Sequence, residues 1–389
     1  MKKLFVNLIF LFFFVSGFAQ ERIAITHWPY LQNMKETEVT IVWVANKPSI
    51  GWVELVADDN TNFYYNEPRL YYNTTDGVKT TSLVHSVKIT GLTPGTKYRY
   101  RVYAQEILEH RSWEVIYGRV AATNVNTLDF TTNDRNKPET SFIMINDIHG
   151  RADDIPAMLK AADYKTADMV IFNGDMVSQM NSEENLFDGF MNVSIETFAK
   201  NIPMYYARGN HETRGSFATF FHQYFSPREP HLYYLVRQGP VCFVMLDTGE
   251  DKRDSHFEYS GITDYENYRT EQAEWLKEAI KSKEYTEAKF KVVIAHLPPV
   301  YGRTMQFGQR DVLEKFVPIL NEANVDVMLS AHLHRLLDQK PNDEIKFPVL
   351  ANGNRTVLRG NVKDGQLELV IMDLDGKVVN KAVLQVQNR

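Results

Sequence analysis

The sequence predicts an N-terminal all-β sandwich followed by an α/β domain, and three observations predict it. Across residues 23–132 polar and apolar side chains alternate, as they do in half-buried strands. From Ser141 onward, apolar strand-like runs alternate with amphipathic helical patterns. Between the two lies Asn133-Asp134-Arg135-Asn136-Lys137-Pro138-Glu139, polar and proline-bearing, with the composition of a linker. A chain of 389 residues can build two full-sized cores. With 44% hydrophobic and 24% charged residues, it falls outside the disordered and fibrous classes.

The first residues stand apart from the fold. Lys2 and Lys3 precede the apolar run Leu4 to Val15, and Gly17 and Ala19 supply small residues. This is the pattern of a secretory signal peptide, residues 1–19, cut after Ala19. The run is shorter than the ~20 residues a membrane span needs, and no later segment is long and apolar enough. The expected product is therefore an exported protein, secreted or periplasmic, with no transmembrane segment after cleavage. Losing two lysines takes the formal charge from −6 to −8. That acidic balance argues against a nucleic-acid partner, which calls for a basic face. The single cysteine, Cys242, lies in the apolar run Val241 to Leu246, the setting of a buried small hydrophobe. An exported chain without an intrachain disulfide relies on core burial, which fits a bacterial enzyme better than an animal secreted protein.

Within the β region, Glu38 to Val44 and Lys97 to Tyr103 alternate clearly, and Gly91-Leu92-Thr93-Pro94-Gly95-Thr96 marks a reversal. The stretch HSVKITGLTPGTKYRYRV resembles the later strands of a fibronectin type III sandwich, and residues 23–132 are assigned to such a domain. It carries no catalytic-looking cluster, so its expected role is structural or docking. In the second domain, residues 140–389, apolar runs end near Ile145, Phe172, Tyr206, Leu246, Ala295 and Leu329. Helical patterns cover Ile155 to Tyr164, Asn185 to Lys200, Phe217 to Tyr224, Thr270 to Lys281 and Arg310 to Asn321. Pro318 predicts a kink or restart in the last of these. After Phe347 the pattern returns to β, with a turn at Asp375-Gly376.

Five polar clusters follow apolar strands directly: Asn146-Asp147-Ile148-His149, Asn173-Gly174-Asp175, Arg208-Gly209-Asn210-His211-Glu212, His296, and Ser330-Ala331-His332-Leu333-His334. Sites in α/β domains lie at the carboxyl ends of strands, so the five can converge. Asp147 and His149 are two apart, as are His332 and His334; in extended chain such pairs face one side and could grip a metal together. Carboxylate and imidazole suit ions such as Mn, Fe and Zn. Gly174 and Gly209 permit sharp turns before Asp175 and Asn210. Each cluster alone has a bland reading as a turn or cap. Their ordered recurrence, each with liganding side chains, points to a metal site.

The motifs D-x-H, G-D, G-N-H-E, H and H-x-H, in this order from Asp147 to His334, resemble the calcineurin-like metallophosphoesterase superfamily. With a fibronectin-like domain in front, the architecture is similar to purple acid phosphatases and their bacterial relatives. The resemblance implies a layered α/β/β/α sandwich for the second domain and a pair of metal ions of the Fe, Mn or Zn class. It implies that Asp147, His149 and His334 hold one ion and Asn210, His296 and His332 the other, with Asp175 bridging. His211 would lie beside the substrate phosphate as the catalytic side chain. Purple acid phosphatases carry Tyr where this chain has Ser178 and Gly where it has His149, which implies a site of the non-purple kind. The last motif usually has Gly where this chain has Ala331.

The function so implied is hydrolysis of small phosphate esters by a metal-bridging hydroxide. The alternatives are a nucleotidase or a phosphodiesterase acting on a sugar or lipid phosphate, and, in a different class, a catalytically inert surface binding protein. Arg208, His256, Tyr301 and Arg303 are further candidates for substrate contact. Asn146 and Asn173 are candidates for bonds behind the ligands, and Glu212 for orienting its loop.

Overall fold

Long alternating strands pair first, in the computed structural model, which describes residues 21–123, 127–225, 229–300 and 305–386. Its N-terminal strands are β1 (Ile25–Gln32), β2 (Glu38–Ala57), β3 (Arg69–Tyr72), a two-residue hairpin β4 (Thr74–Thr75) and β5 (Val78–Lys79), β6 (Thr81–Thr90), β7 (Lys97–Arg111), β8 (Glu114–Ala122) and β9 (Leu128–Thr131). The key element is β2. Its first half pairs with β1 and β6, and its second half with β3 and β7, with a register shift between Val44 and Ser49. One strand thus bends through both layers and closes the sandwich. Val39, Ile41 and Trp43 face the sandwich core with Val87, Tyr100 and Phe130. The Gly91–Thr96 turn forms as expected, with Gly91 at φ +74° and Gly95 at φ +60°.

The second domain holds two six-stranded sheets. In the first, β10 (Thr140–Ile145), β11 (Met169–Asn173) and β12 (Met204–Ala207) run parallel, and β19 (Thr356–Lys363), β20 (Gln366–Asp373) and β21 (Val378–Gln385) extend it antiparallel. In the second, β14 (Val241–Met245), β15 (Phe290–Ile294), β16 (Val327–Ser330) and β18 (Val349–Ala351) are parallel. Antiparallel β13 (Tyr234–Gln238) and β17 (Leu337–Gln339) lie at its edges. Inner faces meet through Phe142, Met144, Ile171, Phe243, Ile294 and Leu329. Helices at Asp154–Ala161 and 183–199 cover the first sheet, and those at Tyr265–Ala279, Phe307–Lys315 and Val317–Glu322 the second. The layering is α/β/β/α. Because the parallel strands are buried on both faces, they read as continuous apolar runs rather than alternating ones.

Helix boundaries moved where the cap is remote in sequence. The fourth helix begins at Tyr265, five residues before the predicted Thr270, because the Asp254 carboxylate accepts the N–H groups of Tyr265 and Glu266. The predicted Phe217–Tyr224 helix is a short 3₁₀ turn, Ala218–Phe220, running into one α turn, Phe221–Tyr224. Pro318 sits at the start of a fresh helix after a break at Phe316, as its missing N–H requires. The predicted leader, residues 1–19, lies outside the described residues. No helix among the described residues is long and apolar enough to cross a membrane.

Candidate metal centre

Strands β10, β11 and β12 of one sheet and β15 and β16 of the other end on the same rim, and the loops after them carry all five clusters. Asp147, His149, Asp175 and His334 bring one ligand atom each to within 4.8 Å of one another, and Asp175, His296 and His332 do the same. Asp175 belongs to both groups. Asn210 joins the second, its Oδ1 3.1 Å from His332 Nδ1. His211 stands beside them, with Nε2 3.9 Å from Asp175 Oδ2. The two sheets are stitched at this point, since the His332 N–H donates to Asp147 Oδ2 over 3.1 Å.

The local backbone is unusual. Asp147, His149, Asp175, His332 and His334 all have φ between +49° and +67°, the left-handed region that non-glycine residues avoid. This corrects the expectation that the i, i+2 pairs lie on extended chain. Asp147 and His149 stay in one group, whereas His332 and His334 fall in different groups. Gly174 has φ +78° as expected, but Gly209 is needed for space rather than for a turn. A Cβ there would sit 2.3 Å from Asp175 Oδ1, and one on Gly174 would sit 2.4 Å from His296 Nδ1. Ala331 is buried and is not among the residues with positive φ, so the missing glycine costs nothing.

Glu212 holds this geometry from behind. Fully buried, it accepts the N–H groups of Asp175 (2.9 Å), Met176 (2.7 Å) and Gly209 (2.9 Å) and the Tyr206 hydroxyl (2.9 Å). Burial raises its carboxyl above the usual range, with the nearby Asp175 adding to the effect. Asn146 donates to Asp147 Oδ2 over 2.7 Å and pairs with Asn352, while Asn173 donates to the Leu329 carbonyl over 3.2 Å. The Asn146 side chain thus bonds a ligand directly, whereas Asn173 reaches one only through its main-chain carbonyl, which accepts from His296 Nδ1.

The donor set fits metal ions and little else. Asp147 and Asp175 are 0% and 2% exposed, and no lysine or arginine pairs with either among the described residues. Buried carboxylates without a cation are costly. Among the described residues, buried Asp147 Oδ1 and His296 Nε2 make no hydrogen bond of acceptable geometry, although His334 Nε2 lies 3.3 Å from the first. His296 Nε2 lies 3.1 Å from Asp175 Oδ2 but in an orientation that makes no hydrogen bond, so we read this pair as two ligand atoms converging. His149 and His334 likewise face each other, Nε2 to Nε2, at 3.1 Å.

Electrostatics divide the imidazoles. Burial pushes His149 and His332 down to about 4, so both rings are neutral and ready to ligate at neutral pH. Burial alone would lower His296 as well, but the Asp175 carboxylate beside it lifts it to about 10. Asp175 is held below the usual carboxylate range, its burial outweighed by His296 and His211. The Asp147 carboxylate beside it raises His334.

The suggested substrate contacts fare differently. Arg208 turns away from the centre: its Nη2 lies 2.8 Å from Asp247 Oδ2, and its guanidinium lies over Phe221 and Tyr265. Its charge is met by Asp247 and the group is packed among aromatic rings. The His256 side chain accepts the Glu258 N–H and lies near Phe257 and Tyr259, within its own loop. Tyr301 and Arg303 lie outside the described residues. Sequence reading passed over Asn352 and Asp247, which follow strands β18 and β14 and satisfy the same strand-end rule; Glu250 and Asp251 lie in a loop, from Glu250 to Arg269, expected from sequence to shape the pocket. Gln306, 2.6 Å from His332 Nε2, lies in a second loop expected to shape the pocket, Tyr301 to Gln309, with no role of its own assigned.

Two sheets closed on one rim by a shared buried carboxylate define a metallophosphoesterase scaffold. The chain belongs to the calcineurin-like phosphoesterase family, whose model matches residues 140–336, and the purple acid phosphatase N-terminal domain matches residues 29–117. Purple acid phosphatase 21 of Arabidopsis thaliana is 23% identical over 298 residues, which are 73% of this chain and 57% of that protein. The chain thus spans little more than half the length of this curated relative. Among solved structures, the purple acid phosphatase PPD1 from yellow lupin (Lupinus luteus) seeds superposes with a TM-score of 0.66. It is 14% identical, over 92% of this chain and 74% of that one, a likeness of fold.

Proposed function

We propose that this chain is an exported hydrolase of small phosphate esters that works with two metal ions of the Fe, Mn or Zn class. Asp147, His149 and His334 hold one ion, Asn210, His296 and His332 hold the other, and Asp175 bridges them. One observation carries the reading: two ligand groups share Asp175, with Asp147 Oδ1 and His296 Nε2 buried and unsatisfied between them. Bound there, such ions offset phosphoryl charge and supply hydroxide near neutral pH.

The chain's own residues do the rest. His211 donates from Nδ1 to the Ser178 carbonyl over 2.7 Å, which fixes the ring and leaves Nε2 on the open side of the site. From that atom a protonated His211 can deliver a proton to the leaving alcohol oxygen. Glu212 and the two asparagines keep the ligand loops from relaxing, so the charged groups need not reorganise during the reaction. Beside His149 runs a groove of about 340 Å³ lined by Ser178, Gln179, Glu184, Asn185 and Asp188. Its two carboxylates oppose further phosphates, which favours a small uncharged or cationic alcohol as leaving group over a nucleoside polyphosphate.

The test is hydrolysis of p-nitrophenyl phosphate and bis(p-nitrophenyl) phosphate by the metal-free protein and after loading with Mn, Zn or Fe. Turnover that depends on metal is expected. Two bound ions with no turnover of either ester would favour the inert binding protein. Because Ser178 stands where purple enzymes carry Tyr, the iron-loaded protein is expected to lack tyrosinate–iron colour.

A further inference from the structure

We infer that Gln306 is a positioning residue for this centre: its side-chain oxygen holds the Nε2–H of His332 and leaves Nδ1 of that ring as the ligand atom. The inference rests on the two-ion reading above and adds to it a residue outside the family motifs.

The Gln306 amide is not free to turn. Its Nε2 donates to Asp251 Oδ2 over 2.9 Å, and an ionised carboxylate only accepts. Asp251 is itself fixed, receiving Arg214 (3.2 Å), Lys252 (3.1 Å) and the Tyr259 hydroxyl (3.2 Å). Burial alone would raise this carboxyl, and Lys252 and Arg214 pull it below the ordinary value instead. With the amide nitrogen committed to Asp251, the oxygen faces His332 Nε2 at 2.6 Å. An acceptor in that place requires the ring proton on Nε2, so the neutral ring carries its lone pair on Nδ1.

Nδ1 in turn faces Asn210 Oδ1 at 3.1 Å, in the same cluster as Asp175 and His296. Two lone pairs that close call for a cation near both. The backbone holds Gln306 in register as well. It begins the helix Phe307–Lys315, where its N–H donates to Gln309 Oε1 over 3.1 Å in a capping box. Gly308 lets that helix end approach closely, since a Cβ there would meet the Glu250 carbonyl oxygen at 2.3 Å. His296 obeys the same logic by another means, its Nδ1 bonded to the Asn173 carbonyl at 2.8 Å so that Nε2 faces Asp175. At His332 a side chain does what the backbone does at His296, and the relay Arg214–Asp251–Gln306–His332 ties that ligand to a buried ionic network.

Titration of the metal-free full chain with Zn²⁺, followed by calorimetry and metal analysis, separates the two levels of the argument. Two ions per wild-type chain are expected; no uptake would end the two-ion reading, and this inference with it. Given two ions, Gln306→Leu is expected to weaken one of them by about 10–100-fold while sparing the other. A double variant, Gln306→Glu with Asp251→Asn, exchanges amide and carboxylate across the relay and is expected to restore most of that affinity. Unchanged affinity for both ions in Gln306→Leu would overturn the inference. So would loss at both sites without recovery in the double variant, which would assign Gln306 to packing alone.

Discussion

Asp147, His149, Asp175, His332 and His334 each hold a left-handed backbone that costs about 1 kcal/mol or more for a side chain with a Cβ. The ion-free protein therefore carries strain at the residues that would ligate. His149→Gly should relieve that strain and raise the melting temperature of the metal-free protein, by roughly 1 kcal/mol of stability, while lowering metal content. Calorimetry with and without metal reads both effects, and a less stable metal-free variant would contradict the strain argument. Asp175→Asn should lower metal content and turnover together, because one carboxylate serves both groups. His211→Ala should keep both ions and lose about 10²–10⁴-fold in kcat; loss of metal in that variant would place His211 among the ligands instead. At this scale the sequence showed the chemistry and hid the conformation. Asp-x-His and His-x-His were legible as donors, but nothing in them says that the backbone is left-handed. Glu212 was visible only as a candidate for orienting its loop. Its bonds come from residues at 175, 176, 177, 206 and 209, which converge only in the folded chain.

Strands were legible wherever burial is periodic or continuous, because the hydrophobic pattern is a direct record of which face meets the core. The carboxyl ends of β10, β11, β12, β15 and β16 were placed to within about a residue for that reason. Helix starts were less legible, since the cap at Tyr265 is supplied by Asp254, eleven residues upstream and across a loop. The long strand β2 could not be foreseen as bridging two layers; alternation is the same on either side of its bend. One element-level consequence concerns His85 in β6. It is fully buried, lies near the Trp43 ring and bonds Ser49 Oγ at 2.9 Å, with Nδ1 unpaired. Burial lowers it from 6.5 to about 4. Above pH 6.5 the ring is neutral in both states and the sandwich keeps its full stability. As pH falls toward 4 the unfolded chain takes up the proton first, and stability drops by about 3 kcal/mol. Urea unfolding of wild type and His85→Leu at pH 7.5 and 4.5 should show the difference between them shrinking by about that amount, and an unchanged difference would remove His85 as the cause.

Across the whole molecule, the sandwich is part of the phosphoesterase core rather than an appendage. Tyr30, Val42 and Val44 from β1 and β2 lie in one cluster with Phe187, Ile195, Phe198 and Tyr224. The Tyr30 hydroxyl donates to the Tyr224 carbonyl over 3.0 Å, Tyr100 to that of Lys200 over 2.7 Å, and Tyr205 to that of Met34 over 2.7 Å. His27 stacks on Phe187 with ring centroids 3.5 Å apart. Residues 140–389 expressed alone would bare this cluster and are expected to aggregate, whereas the whole chain should unfold in one transition seen alike by fluorescence and circular dichroism. A soluble, cooperatively folded fragment would show the two domains to be independent. Nothing in the sequence marked this contact, because an apolar strand residue reads the same whether it meets its own sheet or a neighbouring domain.

The central claim is that loops from two sheets cage two ions around Asp175. Anomalous scattering from crystals of the full chain grown with Mn²⁺ or Zn²⁺ tests it directly. Two peaks are expected, one among Asp147, His149 and His334 and one among Asn210, His296 and His332, each within bonding distance of an Asp175 oxygen. No peak at either cluster, or ions bound elsewhere with Asp175 untouched, would contradict the account.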